Sequence, residues 1–382
     1  MKAMKIALLG TAALAAASVS ARADSTSDLK AQIEALNARV ATLETTPAMP
    51  AGYSMVSFTK EGNNHVITIM PTADAPAAAA TVVTWSGYVR AAVVSGYSGN
   101  PASTYATDIR AKAGFNVTGK TDTAVGEVGV SISTQASTAG FAAYNVANPV
   151  IQTDGFSGWW KITPNFTLTG GVLGTLSKSG YSFDANCTCA FNDSNASVIS
   201  GVYGGGDPAA MKLSYADGPL SFAMQVEDAN NAANASAFGV SGKIGYSGDM
   251  FGADVDGGYW GNANSAQQAA WAVSTGIGGK FGMFSMGVAA GLGSGILAND
   301  DYTKVSGYAK AALSDSMGLE LGVTHQWNTQ LSNGWTEFDG GVYYTPVKQL
   351  TFGIEGEFDS ADAGSGKLDG NYTAAFLTIF KF

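Results

Sequence analysis

NYTAAFLTIFKF, Asn371 to Phe382, closes the sequence on an aromatic segment rather than a polar tail. Domain ends commonly fray into polar residues. Here Tyr372, Phe376, Phe380 and Phe382 share one face of a period-two pattern. That is strand spacing, since successive side chains of a strand point to opposite faces. A strand that keeps its aromatic side to the last residue needs a neighbour on each edge. Closing a sheet on itself removes both edges. The stretch therefore predicts the closing strand of a barrel, paired with TVVTWSGYVR from Thr81.

Composition agrees. The 382 residues include 49 glycines and only 10 prolines, with 13% charged and 10% aromatic side chains. The aromatic content excludes a disordered chain, and the glycines show no collagen period. Mean hydropathy is +0.09, yet beyond the N-terminal region no run of about 18 apolar residues marks a membrane helix. A barrel hides its hydrophobicity by alternating it along each strand.

The first residues read as a secretory signal. Lys2 and Lys5 precede an apolar run from Ile6 to Val19, and Ala21-Arg22-Ala23 fits an A-x-A cleavage site. Residues 1–23 form this segment. Its removal takes away Lys2, Lys5 and Arg22 and no acid, leaving 17 basic against 30 acidic residues from the full chain's 20 and 30. That balance disfavours nucleic acid as a partner and suits a cation-preferring channel.

Residues 24–46 are expected to form a helix. Leu29, Ile33, Leu36, Val40 and Leu43 alternate spacings of four and three, the a and d positions of a heptad. Ser27 caps its start. Arg39 at g and Glu44 at e can pair between parallel helices, and Arg39-Val40-Ala41-Thr42-Leu43-Glu44 resembles a short trimer-specifying pattern. A β-branched residue at a with Leu at d favours dimers instead. The expectation is a coiled coil that joins three copies. Residues 47–80 hold linkers and a β-hairpin, with strands Met55–Thr59 and His65–Met70.

Residues 81–382 form the barrel, with sixteen antiparallel strands expected, within two. The first puts Trp85, Gly87, Val89, Ala91 and Val93 on one face. The second puts Ile109, Ala111, Ala113, Phe115 and Val117 on one face and Arg110, Lys112, Asn116 and Thr118 on the other. An outward apolar face and a wet interior give this pattern; a soluble sandwich gives the same alternation with the opposite sense. Connector lengths separate the two. Short turns at Lys120-Thr121-Asp122, Thr163-Pro164-Asn165, Asp217-Gly218-Pro219, Ser247-Gly248-Asp249, Asp315-Ser316 and Pro346-Val347-Lys348 alternate with longer stretches at 228–236, 263–268, 328–333 and 360–370. Short turns at one rim and long loops at the other mark transmembrane barrels. The third long loop, about 35 residues from Thr175 to Ala210, carries Asp184, Asp193, Asp207, Cys187 and Cys189. Cys187 and Cys189 form a strained local disulfide or stay as free thiols. Neither histidine is nearby and no second cysteine pair exists, so no metal site is expected there.

The signal segment, the helix SDLKAQIEALNARVATLE, the strand WSGYVRAAV, the long third loop and the terminal FKF together resemble the trimeric sixteen-stranded porins of α-proteobacteria. The resemblance implies an all-β transmembrane barrel in the bacterial outer membrane, a homotrimer, and passive diffusion of small hydrophilic solutes and ions. It implies a third loop folded into the lumen, with Asp184 and Asp193 facing Arg90, Arg110 and Lys112 on the wall. It also implies that Phe382 is read by the barrel assembly machinery. No cofactor is expected.

The sequence also bears on three other functions. An enzyme needs a histidine beside a nucleophile or carboxylate; His65 lies in the hairpin, and His325 shares the Trp327 face near a rim, as an interfacial histidine would. An envelope tether needs a longer region than residues 24–80. A selective channel would use lumen aromatics such as Tyr88, Trp159 and Tyr308, or the inward Lys161, Lys212, Lys243, Lys280 and Lys310 for anions.

Overall fold

The computed structural model describes residues 55–61, 64–70, 81–97, 105–137, 151–183, 208–228, 238–261, 269–297, 300–330, 332–363, 365 and 369–382. The expected signal segment and coiled-coil helix, with Leu29, Ile33, Leu36, Arg39, Val40, Leu43 and Glu44, lie outside these residues. So do Asp184, Cys187, Cys189 and Asp193.

Two strands precede the barrel, β1 (Met55–Glu61) and β2 (Asn64–Met70), paired as an antiparallel hairpin. The barrel strands are β3 (Thr81–Tyr97), β4 (Ala106–Thr123), β5 (Gly126–Ser137), β6 (Gln152–Lys161), β7 (Phe166–Val172) and β8 (Ala209–Asp217). Then follow β9 (Leu220–Asp228), β10 (Phe238–Ser247), β11 (Phe251–Trp260), β12 (Ala270–Phe281) and β13 (Phe284–Leu297). The ring is completed by β14 (Asp300–Ala312), β15 (Met317–Asn328), β16 (Asn333–Val347), β17 (Leu350–Ala361) and β18 (Tyr372–Lys381). Each strand pairs antiparallel with the next, and β18 returns to β3, from Tyr372 opposite Tyr97 to Lys381 opposite Tyr88. The result is a closed barrel of sixteen antiparallel strands, β3 to β18.

Exposure fixes which face is which. Ile109, Ile354 and Val288 are 72%, 63% and 57% exposed. The opposite face of the sheet carries buried Gln225, Glu227, Asp254, Asp256, Lys304, Glu337 and Glu355. Apolar side chains outward and polar ones inward invert the pattern of a soluble domain, and this sense belongs to a barrel set in hydrocarbon. The first two strands have the expected register: Val89, Val93 and Phe115 are exposed, whereas Arg90, Arg110 and Lys112 lie on the opposite, inner face.

Turn chemistry explains much of the short-turn rim. Gly218 has φ +54° and is followed by Pro219, so the two-residue loop between β8 and β9 has the positive first dihedral of a type II′ hairpin. Gly282, at φ +62°, does the same between β12 and β13. Two expected connectors differ. Lys120-Thr121-Asp122 is not a turn: β4 continues through it, pairing Asp122 with Glu127, and the chain reverses at residues 124–125. Polar residues do not end a strand whose one face is wet, and Lys120 and Glu127 form a cross-strand ion pair at 3.2 Å. At the other rim, 328–333 is no long loop. Residues 329–332 suffice, with Ser332 at φ +52°, and β13 and β14 are joined by residues 298–299 alone.

At the seam, Phe382 and Gly87 exchange backbone hydrogen bonds of 3.0 and 3.2 Å. The Phe382 ring lies over Gly87, where a Cβ would come within 2.8 Å of Cε1, and reaches Phe115 on β4 at a centroid distance of 6.4 Å. The aromatic side of the opening stretch thus faces outward, with Phe376 and Phe380 more than half exposed.

Candidate functional site

The third long loop leaves β7 and returns to β8, and its two stems are tied by Leu173 N–H donating to Pro208 O at 2.9 Å. Its first limb, residues 173–183, turns into the barrel and runs along the inner wall. Gln225 Nε2 on β9 donates to Gly174 O at 3.1 Å, and Thr175 Oγ1 donates to Glu227 Oε1 at 3.2 Å. Leu176 N–H donates to Ser241 Oγ on β10. Lys243 Nζ donates to Lys178 O at 2.7 Å. On β11, Asp254 accepts from Ser179 Oγ at 2.7 Å and from Gly180 N–H at 2.6 Å, and it pairs with Lys243 Nζ at 2.8 Å. Phe183 N–H donates to Ser306 Oγ on β14 at 2.6 Å.

Glycines on the inner face make the seat. Gly276 and Gly278 on β12 lie under Ser179 and Tyr181; a Cβ at Gly278 would meet Tyr181 Cδ1 at 2.6 Å. Gly322 on β15 lies under Phe183, and any Cβ there would enter the phenyl ring. Phe183 is 1% exposed as a result. The limb thus crosses from β9 to β15, six strand spacings or about 29 Å. The limb is bent on its way, with Lys178 N–H donating to Leu176 O at 2.8 Å and Ser182 Oγ donating to Ser179 O at 3.1 Å, so it cuts across the inside of the wall. Burial, with the Asp254 carboxylate adding to it, pushes the Tyr181 phenol pKa up and keeps it neutral.

Behind the limb the wall is cross-linked. Glu227 accepts from Gln225, Ser241 and Trp260, the last fully buried. Asp256 accepts from Ser274 Oγ, and its Oδ2 lies 3.9 Å from Lys243 Nζ. One ammonium therefore serves two buried carboxylates and a loop carbonyl. Buried carboxylates are retained where charge and hydrogen bonds offset the lost hydration.

The three wall bases sit together. Arg90 is directly opposite Lys112 in the β3–β4 ladder, and Ala92 is opposite Arg110. Arg110 Nε lies 3.6 Å from Asp108, and Arg90 lies over the Tyr88 ring at 5.6 Å. Asp184 directly follows the described limb, so the acid half of the expected pair lies outside the described residues. Acids absent from the sequence expectation stand on the wall itself: Glu320, Glu337, Asp339, Glu355, Glu357 and Asp359 share the inner face of β15, β16 and β17. Tyr343 Oη donates to Glu355 at 2.7 Å, and Lys310 pairs with Glu320 at 3.5 Å. Glu337, Glu357 and Asp359 bring carboxylate oxygens within 4.8 Å of one another, a spacing a cation can bridge. The signal for this wall was present in Gly353-Ile354-Glu355-Gly356-Glu357-Phe358-Asp359, whose acids alternate with outward apolar residues. Lys243 and Lys310, read as inward lysines that could favour anions, are held by carboxylates. His325 lies on the outer face, its ring 3.8 Å from that of Trp327 and its Nδ1 2.7 Å from Thr336 Oγ1. A hydroxyl and an indole on the membrane side form no catalytic set.

No protein-family model matches the chain, and no curated protein matches its sequence. Solved structures do match. A triple mutant of Rhodopseudomonas blastica porin superposes with a TM-score of 0.57 at 15% identity, covering 78% of this chain and 100% of that one. Outer-membrane expressed OmpT of Vibrio cholerae gives 0.57 at 13% identity, covering 79% and 98%. The fold is that of the porin barrels. About a fifth of this chain lies outside each match. The identity is low because a barrel wall asks for alternation and turns rather than for particular side chains.

Proposed function

We propose that the protein is an outer-membrane porin, a water-filled channel through which small hydrophilic solutes and ions diffuse passively. The observation that carries this reading is the limb 173–183, laid across the inner wall from β9 to β15 by seven hydrogen bonds to wall side chains. A loop bound inside an otherwise polar barrel narrows the lumen, and its continuation with Asp184 and Asp193 forms the rest of the constriction. Arg90, Arg110 and Lys112 supply positive charge. The acids of β15 to β17 supply negative charge on the other side of β18. Rows of opposite sign bordering a narrow aqueous gap set a transverse field, which orders water, favours polar solutes and biases ion choice. No bond is made or broken, and the protein is not an enzyme.

In this reading the heptad of residues 24–46 joins three copies, the apolar outer belt contacts lipid, and the aromatic Phe382 is recognised by the assembly machinery. The experiment is conductance of the purified, detergent-folded protein in planar bilayers under a salt gradient. Large ohmic conductance in steps of three is expected, with the reversal potential giving the ion preference. A folded barrel that passes no current would overturn the proposal.

A further inference from the structure

Fifteen of the sixteen ring pairings join strands consecutive in the chain, so connectors set their registers. The pairing of β18 with β3 has no connector. Sidedness excludes a slip of one residue, which would turn every side chain to the wrong face. A slip of two keeps all faces correct. Seam chemistry discriminates poorly against it over the middle of the inner face, which is apolar: Ala375 and Leu377 on β18 lie against Val94 and Ala92 on β3, and Arg90 lies opposite apolar Ile379.

The β1–β2 hairpin occupies the same edge of β3. His65 to Ile69 of β2 pair with Trp85 to Thr81, running in the direction of β18. Phe382 pairs with Gly87. Two segments remote in sequence thus share one strand edge end to end, with Ser86 between them. Val66, opposite Thr84, is buried at 7% exposure, so the hairpin is packed in place. Sliding β18 two residues further along β3 would bring Phe382 opposite Trp85, a position filled by His65.

We propose that the N-terminal hairpin is a register stop for barrel closure. Formed from residues close in sequence to β3, it blocks the lower part of that edge before the distant β18 arrives. It leaves Gly87 as the first position of the correct sidedness, and that glycine has the clearance the Phe382 ring needs. The hairpin acts on assembly, whatever solute the channel passes, so its test needs no conductance.

The test uses cysteine pairs in a full chain with Cys187 and Cys189 changed to serine. Inner positions of this seam are non-hydrogen-bonded pairs, because Gly87 and Phe382 exchange both bonds and the pattern alternates from there. Such pairs bring Cα atoms to about 4.5 Å, within disulfide reach. Ala92→Cys with Leu377→Cys reports the native register, and Ala92→Cys with Ala375→Cys reports the two-residue slip. With the hairpin present, only the first pair is expected to cross-link. After deletion of residues 52–71, the second is expected to form in a substantial share of folded, heat-modifiable barrel. Native cross-linking alone in the folded deletion variant overturns the proposal. If that variant does not fold, Val66→Asp, which keeps the hairpin but undocks it, decides by the same pair of cross-links.

Discussion

Replacing Asp254 with alanine should release the inner limb of the third loop while leaving the barrel intact. Asp254 receives two donors from the limb, Ser179 Oγ at 2.7 Å and Gly180 N–H at 2.6 Å. Hydrogen bonds to a charged group contribute about 1.5–3 kcal/mol each. Even at the low end, losing both costs about 3 kcal/mol, or roughly a hundredfold in the population of the detached limb. The barrel should tolerate the change. Lys243 keeps its approach to Asp256 at 3.9 Å and gains water as the limb leaves, so its charge is not stranded. Asp254→Asn retains one acceptor oxygen and should fall between, near tenfold. The assay is maleimide labelling of Ser177→Cys, a fully buried position on the limb, together with single-channel recording. Labelling should accelerate by about two orders of magnitude, and the open channel should become noisy with enlarged substates. Wild-type labelling and quiet current from a folded Asp254→Ala barrel would refute the idea that this carboxylate holds the loop.

Three further outcomes follow from the same geometry. Gly322→Ala should expel Phe183, forfeiting about 1.5–3 kcal/mol of its burial, and should reproduce the noisy channel without any change in charge; a quiet recording would count against the glycine seat. Changing Arg90, Arg110 and Lys112 together to alanine removes three positive charges from the lumen and should move the reversal potential toward cation preference, with less effect at high salt because of screening. Phe382→Ala should lower the yield of heat-modifiable barrel, since it strips the ring from Gly87 and Phe115, while barrels that do assemble should conduct normally.

Much of this protein is set by sequence alone. Period-two alternation from Thr81 onward, the turn residues at one rim and the aromatic face of Asn371–Phe382 determine a closed meander of sixteen strands. They also put Arg90, Arg110 and Lys112 on the inner face, because parity along a strand is a local property. Boundaries were less legible: Lys120-Thr121-Asp122 reads as a turn by composition, yet pairing with β5 carries the strand through it.

Tertiary structure decided what parity cannot express. Which inner residues support the third loop depends on where its eleven residues 173–183 come to rest, and so Asp254, Ser306 and Gly322, distant from the loop in sequence and unremarkable there, become its seat. Neighbouring strands likewise make the inward Lys243 and Lys310 partners of carboxylates, and gather the acids of β15 to β17 into one wall. The hairpin is the clearest case. Its two strands are readable from Met55 to Met70, but its place on the β3 edge beside Phe382 exists only once the barrel is closed, because that neighbour lies some three hundred residues away.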